Sequence, residues 1–191
     1  MGTAKFSGPR LRDVLQRAGV RFSGKHVAFR GPDEAPGKVP PFIRSIPIEK
    51  ALDANTLVAT HMNGAPLTKH HGFPARALTP GWIGAASCKW LSEIKVLDAE
   101  FAGNFMNPGY RLPNQPIKPG ETVKPEDTHS VTSLAVKSVI SGPQDGATLK
   151  QGRVAIDGAG WAGEAESANF GPDQPPYQPP RSASQKSPKD E

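Results

Sequence analysis

Cysteine is almost missing from this 191-residue chain: Cys88 stands alone. One cysteine excludes an intramolecular disulfide and a cysteine-rich zinc site, and it leaves the redox compartment and the localisation undetermined. Long apolar runs are missing as well, and none approaches the ~20 residues that a membrane-crossing helix needs. The opening Met1-Gly2-Thr3-Ala4-Lys5 has no secretory pattern and runs straight into folded-looking sequence, so the expectation is a chain that starts mid-domain. Aromatic residues are 7% and hydrophobic residues 36%, a lean composition, whereas 21 prolines and 20 glycines imply a loop-rich architecture. The formal net charge is +5 and the pI about 9.4. That is the balance of an ordinary soluble basic surface, with a bias toward anionic ligands as the sharper reading. Lysines and arginines are scattered and not gathered in one stripe with aromatics, which argues against a nucleic-acid partner.

What is present reads as α+β. Leu11, Val14, Leu15 and Ala18 recur at helical spacing behind Pro9, and Gly19 supplies a stop, so a helix is expected over Pro9–Ala18. His26–Arg30 reads as a strand and IEKALD, from Ile48, as a short helix. Thr56–Met62 is an apolar strand before the turn signal Asn63-Gly64, and it makes His61 a partly buried structural histidine. Ala75–Leu78 and Glu93–Leu97 are further strand candidates. Pro108–Pro125 is punctuated by proline and reads as an extended connector. From Thr132 the pattern is SLAVKSVISGP, a turn at DGATLKQG, then RVAIDGAGWAG: short alternating strands suited to the opening of an immunoglobulin-like sandwich. Glu166–Glu191 has almost no aliphatic residues and is expected to be disordered. Fewer strands follow than a sandwich needs, so the expected all-β segment is incomplete.

Chemistry concentrates between Thr60 and Val96. NG-x-PL, HG-x-P-x-R, PG-x-x-G and S-x-KWL follow in order, and His61, His70 and His71 fall among them. A phosphate held in protein needs charge-assisted donors, which arginine, lysine and backbone N–H groups supply, and glycine lets the backbone approach closely. Taken singly, His71 could cap a carbonyl, and Arg76 and Lys89 could be solvated charges. Their joint spacing is what makes a binding unit. Trp82 and Trp90 read as packing residues and His70 as surface.

This ordered set of motifs resembles the molybdenum-cofactor domain of the sulfite oxidase family, which includes the assimilatory nitrate reductases of plants and fungi. The resemblance implies a partial α+β molybdopterin-binding domain at 1–107, a connector at 108–130, a truncated immunoglobulin-like dimerisation domain at 131–165 and a tail at 166–191. It implies cofactor contacts at Asp33, His71, Arg76, Ser87, Cys88 and Lys89, and a catalytic tyrosine at Tyr110, within NPGYRLP, with Arg111 beside it as a possible aid to anion attraction. The implied cofactor is Mo-molybdopterin. The implied activity is oxidation of sulfite to sulfate, with electrons passing to a haem or cytochrome c-type acceptor, in a homodimer. Nitrate reduction is the alternative enzymatic reading. The family's metal-binding cysteine lies ahead of a helix like that at Pro9, where this chain has no counterpart, and Cys88 sits in the wrong motif to replace it, so no metal ligand is assigned. The expectation is therefore a truncated form, with a non-catalytic fragment as the competing reading.

Overall fold

The computed structural model describes residues 4–20, 23–32 and 37–164; Asp33 and the expected tail at 166–191 lie outside the described residues. Strand β1, Phe6–Ser7, leads into helix α1, Leu11–Arg17. Leu11 and Leu15, one helical turn apart, are the buried positions of that helix. Pro9 lies ahead of the first turn, where its carbonyl accepts the Val58 N–H at 2.9 Å, and Gly19 leaves the helix at φ +70°. Strand β2, His26–Arg30, pairs antiparallel on one side with β3, Ile43–Pro47. Helix α2, Ile48–Leu52, follows β3 directly and buries Ile48 and Ala51.

The expected strand at Thr56–Met62 divides into two. Strand β4, Leu57–Ala59, and β5, His61–Met62, are separated at Thr60 and join different sheets. Strand β6, Ala65–Pro66, pairs with β5 across Asn63 (φ +52°) and Gly64 (φ +83°), the left-handed pair a tight hairpin demands. The division corrects the reading of His61. Its strand is the middle one of the small β1-β5-β6 sheet, separate from the sheet over the core, and there His61 is exposed, its Nδ1 meeting the Thr60 hydroxyl at 2.9 Å. Strand β7, Arg76–Leu78, pairs with β4. Strand β8, Glu93–Leu97, closes the other side of β2, giving the order β3-β2-β8.

Alternation puts Val27 and Phe29 on one face of this sheet, in line with Ile46 and Arg44 on β3 and Val96 and Ile94 on β8. With Leu11, Leu15, Ile48, Ala51, Ala77, Ala86 and Cys88, the apolar members of that face form the core. Burial of such side chains is the main favourable term in the fold.

The proline-rich connector is not simply extended. Strand β9, Arg111–Pro113, pairs antiparallel with β10, Thr128–Ser130, so the segment folds back on itself. Arg111 is the reason. Its guanidinium donates to the Thr128 hydroxyl (2.7 Å), the Thr128 carbonyl (2.7 Å), the Ser130 hydroxyl (3.2 Å) and the Met106 carbonyl (3.3 Å), and it pairs with Glu100 at 3.5 Å. Beyond it, β11, Lys137–Gly142, and β12, Asp157–Trp161, form a two-stranded antiparallel ribbon. Two strands agree with the expected all-β segment without defining a sandwich.

This last part is stitched to the front of the molecule. The Ile83 N–H donates to the Thr132 carbonyl, the Leu134 N–H to the Gly81 carbonyl and the Gly163 N–H to the Leu134 carbonyl, at 2.8–2.9 Å. The backbones of Gly81 and Gly163 approach so closely that a Cβ on either would lie 2.5 Å from the other's carbonyl oxygen. Only glycine fits there.

Candidate functional site

Two loops converge where β7 begins. The first is a turn of 3-10 helix, Lys69–His71, which ends at Gly72 with φ +100°. The Thr68 hydroxyl holds His71 Nδ1 at 2.7 Å, which orients the imidazole and leaves Nε2 for another partner. The second is the turn Gly84–Ala86, followed by Ser87, Cys88 and Lys89. Backbone bonds from the Ala77 N–H to the Cys88 carbonyl (2.9 Å) and from the Leu91 N–H to the Ala75 carbonyl (2.8 Å) lay this segment along β7.

Arg76 joins the two loops. One terminal nitrogen donates to the His71 carbonyl at 3.2 Å and the other to the Ser87 carbonyl at 3.1 Å, while the guanidinium lies 5.5 Å from the centre of the Phe6 ring. Its Nε is buried with no partner. Burial pushes the Arg76 pKa down and the neighbouring Cys88 pulls it back up; the group stays protonated at neutral pH. Lys89 completes the patch. Its ammonium donates to the His70 carbonyl at 2.9 Å and stands 5.3 Å from the Trp90 ring, whose indole N–H donates to the Lys69 carbonyl at 2.9 Å.

A cleft of about 290 Å³ opens beside this patch, with Ser87, Cys88 and Lys89 on its wall together with Gly84, Phe42 and Trp90. The Ser87 hydroxyl is engaged inward, accepting the Thr79 N–H at 3.0 Å. Cys88 is 5% exposed, belongs to the core cluster and directs its thiol toward the Lys89 carbonyl at 3.5 Å. The structure thus brings together five of the expected site residues: His71, Arg76, Ser87, Cys88 and Lys89.

Tyr110 stands apart from them. It is 45% exposed, holds φ +54°, and has the Arg44 guanidinium 5.0 Å from its ring centre. Its connection to the cleft runs through Arg44, which donates to the Phe105 carbonyl, and through Phe105, whose ring is 4.9 Å from that of Phe42. Arg111 does not serve as an attractor of anions from adjacency, because its donors are committed to the β9–β10 pair.

Sequence reasoning missed Thr68, Phe42, Trp90 and Arg44. Thr68 could have been found from its spacing, three residues ahead of His71 in a turn. Arg44 carried a stronger signal: in I-R-S-I it occupies an alternating position whose partner Ile46 is apolar and buried. Trp90 is the tryptophan of S-x-KWL and it lines the cleft as well as packing.

The donor set suits an anionic, polar-edged ligand: a lysine, a histidine with one free ring nitrogen, a half-buried arginine tying the two loops together, and a glycine-led turn against an aromatic wall. Among the described residues, no group of three or more His, Cys, Asp or Glu is placed to hold a metal ion. The fit is to the organic part of a cofactor.

The chain belongs to the family described as "Oxidoreductase molybdopterin binding domain", which matches residues 1–105. It is 38% identical over 167 residues to mouse mitochondrial sulfite oxidase, covering 85% of this chain and 30% of that protein. It is 33% identical to the sulfite oxidase of Arabidopsis thaliana, covering 83% of this chain and 42% of the relative, and 34% identical to a bean NADH nitrate reductase (Phaseolus vulgaris), covering 74% and 17%. In three dimensions it is similar to the sulfane dehydrogenase SoxCD of Paracoccus pantotrophus, with a TM-score of 0.64 and 27% identity, over 84% of this chain and 38% of that one. The chain therefore spans less than half the length of these relatives.

Proposed function

We propose that this chain supplies one side of a molybdopterin site in a sulfite oxidase-type oxidoreductase. The observation that carries the reading is Arg76, which ties the His71 carbonyl, 5 residues before it, to the Ser87 carbonyl, 11 residues after it, and so makes one surface from two motifs. In this reading Lys89 and His71 Nε2 bind the anionic and polar edges of the pterin. The backbone at Ser87–Lys89 lies along it, Arg76 holds the two loops in place, Cys88 fills space behind, and Asp33 is a further contact residue. The cofactor, when bound, supplies the two-electron redox chemistry. The chain's own residues bind, orient and shield it. Tyr110 donates a hydrogen bond to the bound oxyanion and helps control proton movement during turnover. Sulfite is the substrate class that the sulfite oxidase relatives support, with a cytochrome c-type acceptor. The nitrate reductase relative favours nitrate as the second substrate to test.

Residues 1–107 form the cofactor module in this proposal, 108–130 the connector, and 131–165 the start of a module through which two copies associate. The exposed apolar side chains on β11 and beside the ribbon, Val139, Ile140, Val136 and Ile156, support that last assignment. Among the described residues no helix is long and apolar enough to cross a membrane.

The test is to purify the chain from a host that makes molybdopterin, then quantify bound pterin by the fluorescence of its oxidised form and molybdenum by mass spectrometry. Pterin near one per chain is expected, falling at least about tenfold in Lys89→Ala, since a lost charge-assisted contact removes about 1.5–3 kcal/mol. A folded chain carrying no pterin ends the proposal. Pterin with metal and sulfite-dependent cytochrome c reduction establishes the enzyme, whereas pterin without turnover assigns this chain a binding role only.

A further inference from the structure

Arg44 is the largest of the fully buried side chains, at 1% exposure, and no part of the cleft accounts for it. It occupies the core face of β3 directly across from Phe29, where the next row is Ile46, Val27 and Val96. A guanidinium in that row is tolerated only if its charge is answered. The answers all come from one place. One terminal nitrogen donates to the Phe105 carbonyl and the other to the Val131 carbonyl at 3.3 Å, while the cation faces the Tyr110 ring at 5.0 Å. Nε is buried without a partner, so hydrogen bonding alone does not satisfy the group. Burial lowers the Arg44 pKa, and Glu100 and Tyr110 oppose that shift.

The arrangement brackets Tyr110. Arg44 grips the chain five residues before it, at Phe105, and again at Val131, whose N–H donates to the Tyr110 carbonyl at 2.8 Å. Tyr110 itself is in the left-handed region at φ +54°, a conformation that a tyrosine keeps only when its surroundings hold it. Phe42, two residues before Arg44, carries the same strand to the cleft wall and packs on Phe105.

We infer that Arg44 is a positioning residue: its cation sits on the π face of Tyr110 and, by bridging the Phe105 and Val131 carbonyls, locks that ring relative to the Phe42 wall of the cofactor cleft. Its importance for turnover rests on the proposed role of Tyr110. The placement of the ring is independent of any cofactor.

Hydroxyl-radical oxidation of Tyr110, followed by peptide mass spectrometry on the full chain, reads this placement directly, because the radical adds to the neutral ring as an electrophile and a cation on the π face disfavours that addition. With the ring 45% exposed, exposure alone slows the native protein about twofold relative to the urea-unfolded chain; the cation raises protection to about fivefold. Arg44→Met, which keeps the bulk and removes the charge, returns protection to about twofold, and Arg44→Lys keeps most of it. Native protection of only about twofold overturns the inference even if Arg44→Met fails to fold. Equal loss in both variants also overturns it, since the cation would then be irrelevant. In cofactor-loaded protein, Arg44→Met lowers kcat while KM for sulfite holds. If ring oxidation follows the cation but loaded protein shows no sulfite oxidation, the positioning stands and the catalytic reading of Tyr110 falls.

Discussion

Strands β2 and β11 arise from similar sequence, short runs of β-branched and apolar residues between turn signals, yet they end in opposite surroundings. Val27 and Phe29 on β2 are 0% exposed, whereas Val139 and Ile140 on β11 are 52% and 69% exposed. β2 has a partner strand on each side and the two helices packed with the core beneath it. Among the described residues β11 has β12 alone, and a two-stranded ribbon cannot bury a face by itself. Val136, Leu149 and Ile156 repeat the exposure around the ribbon. Alternation therefore encodes a strand, but not the layer that covers it. The ribbon keeps its place through the Gly81–Ile83 and Thr132–Leu134 backbone bonds and the Gly81–Gly163 approach, and not through a core of its own.

The largest effect that can break this comparison is truncation of matched side chains. Phe29→Ala is expected to cost about 3–5 kcal/mol, as a cavity opens in a closed core. Ile140→Ala should stay within about 0.5 kcal/mol, as at other surface positions. Urea denaturation of both variants gives the ratio. A cost above about 2 kcal/mol for Ile140→Ala would mean that the ribbon is covered in solution, and concentration dependence of the transition would identify the cover as a second copy.

A smaller effect distinguishes the cleft from its scaffold. Gly72 has φ +100°, and a Cβ there would lie 3.0 Å from Lys89 Cβ and 3.2 Å from the Trp90 nitrogen. Gly72→Ala should destabilise by about 1–3 kcal/mol and, by displacing Lys89, reduce bound pterin more than a thermally matched core variant does. Equal pterin loss in the two would show that the cleft follows global stability and has no local dependence on the turn.

Most of the frame was legible because it is local. The helix at Leu11, the strand at His26 and the hairpin signal at Asn63-Gly64 each follow from spacing or from a turn's backbone demands. So was the convergence of His71, Arg76 and Lys89, once the motifs were taken as one block. What sequence could not reveal is long-range. The connector was read as extended because proline dominates it, and nothing local says that Arg111 will find Thr128 and Ser130 17 and 19 residues on. The apolar run around His61 predicts a partly buried side chain, but the break at Thr60 sends β5 to a separate sheet, where His61 is exposed. Arg44 was passed over because a charged residue is presumed solvated, and its partners lie 61 and 87 residues away.

The smallest expected effect tests how the two regions hold each other. Glu164, just beyond β12, accepts hydrogen bonds from Lys50 Nζ on α2 at 2.9 Å and from the Trp82 indole N–H at 2.8 Å. Those two hydrogen bonds, Lys50 first, hold the Glu164 carboxyl below its ordinary value of 4.5, against a smaller opposing push from burial. A depressed carboxylate stabilises the fold above its unfolded pKa, and that contribution is lost as the pH falls through the lowered folded value. The clasp is thus intact at neutral pH and opens only in acid, from about pH 4.5 downward. Because the Glu164 side chain is 51% exposed, solvent screening limits its worth to a few tenths of a kcal/mol, roughly the scale of surface ion pairs. Glu164→Gln should lower Tm slightly at pH 7, by no more than a few degrees, and the difference from the native chain should vanish toward pH 3. A Tm difference that persists undiminished at low pH would mean that the ribbon is held by the backbone ladder alone, with the carboxylate a bystander.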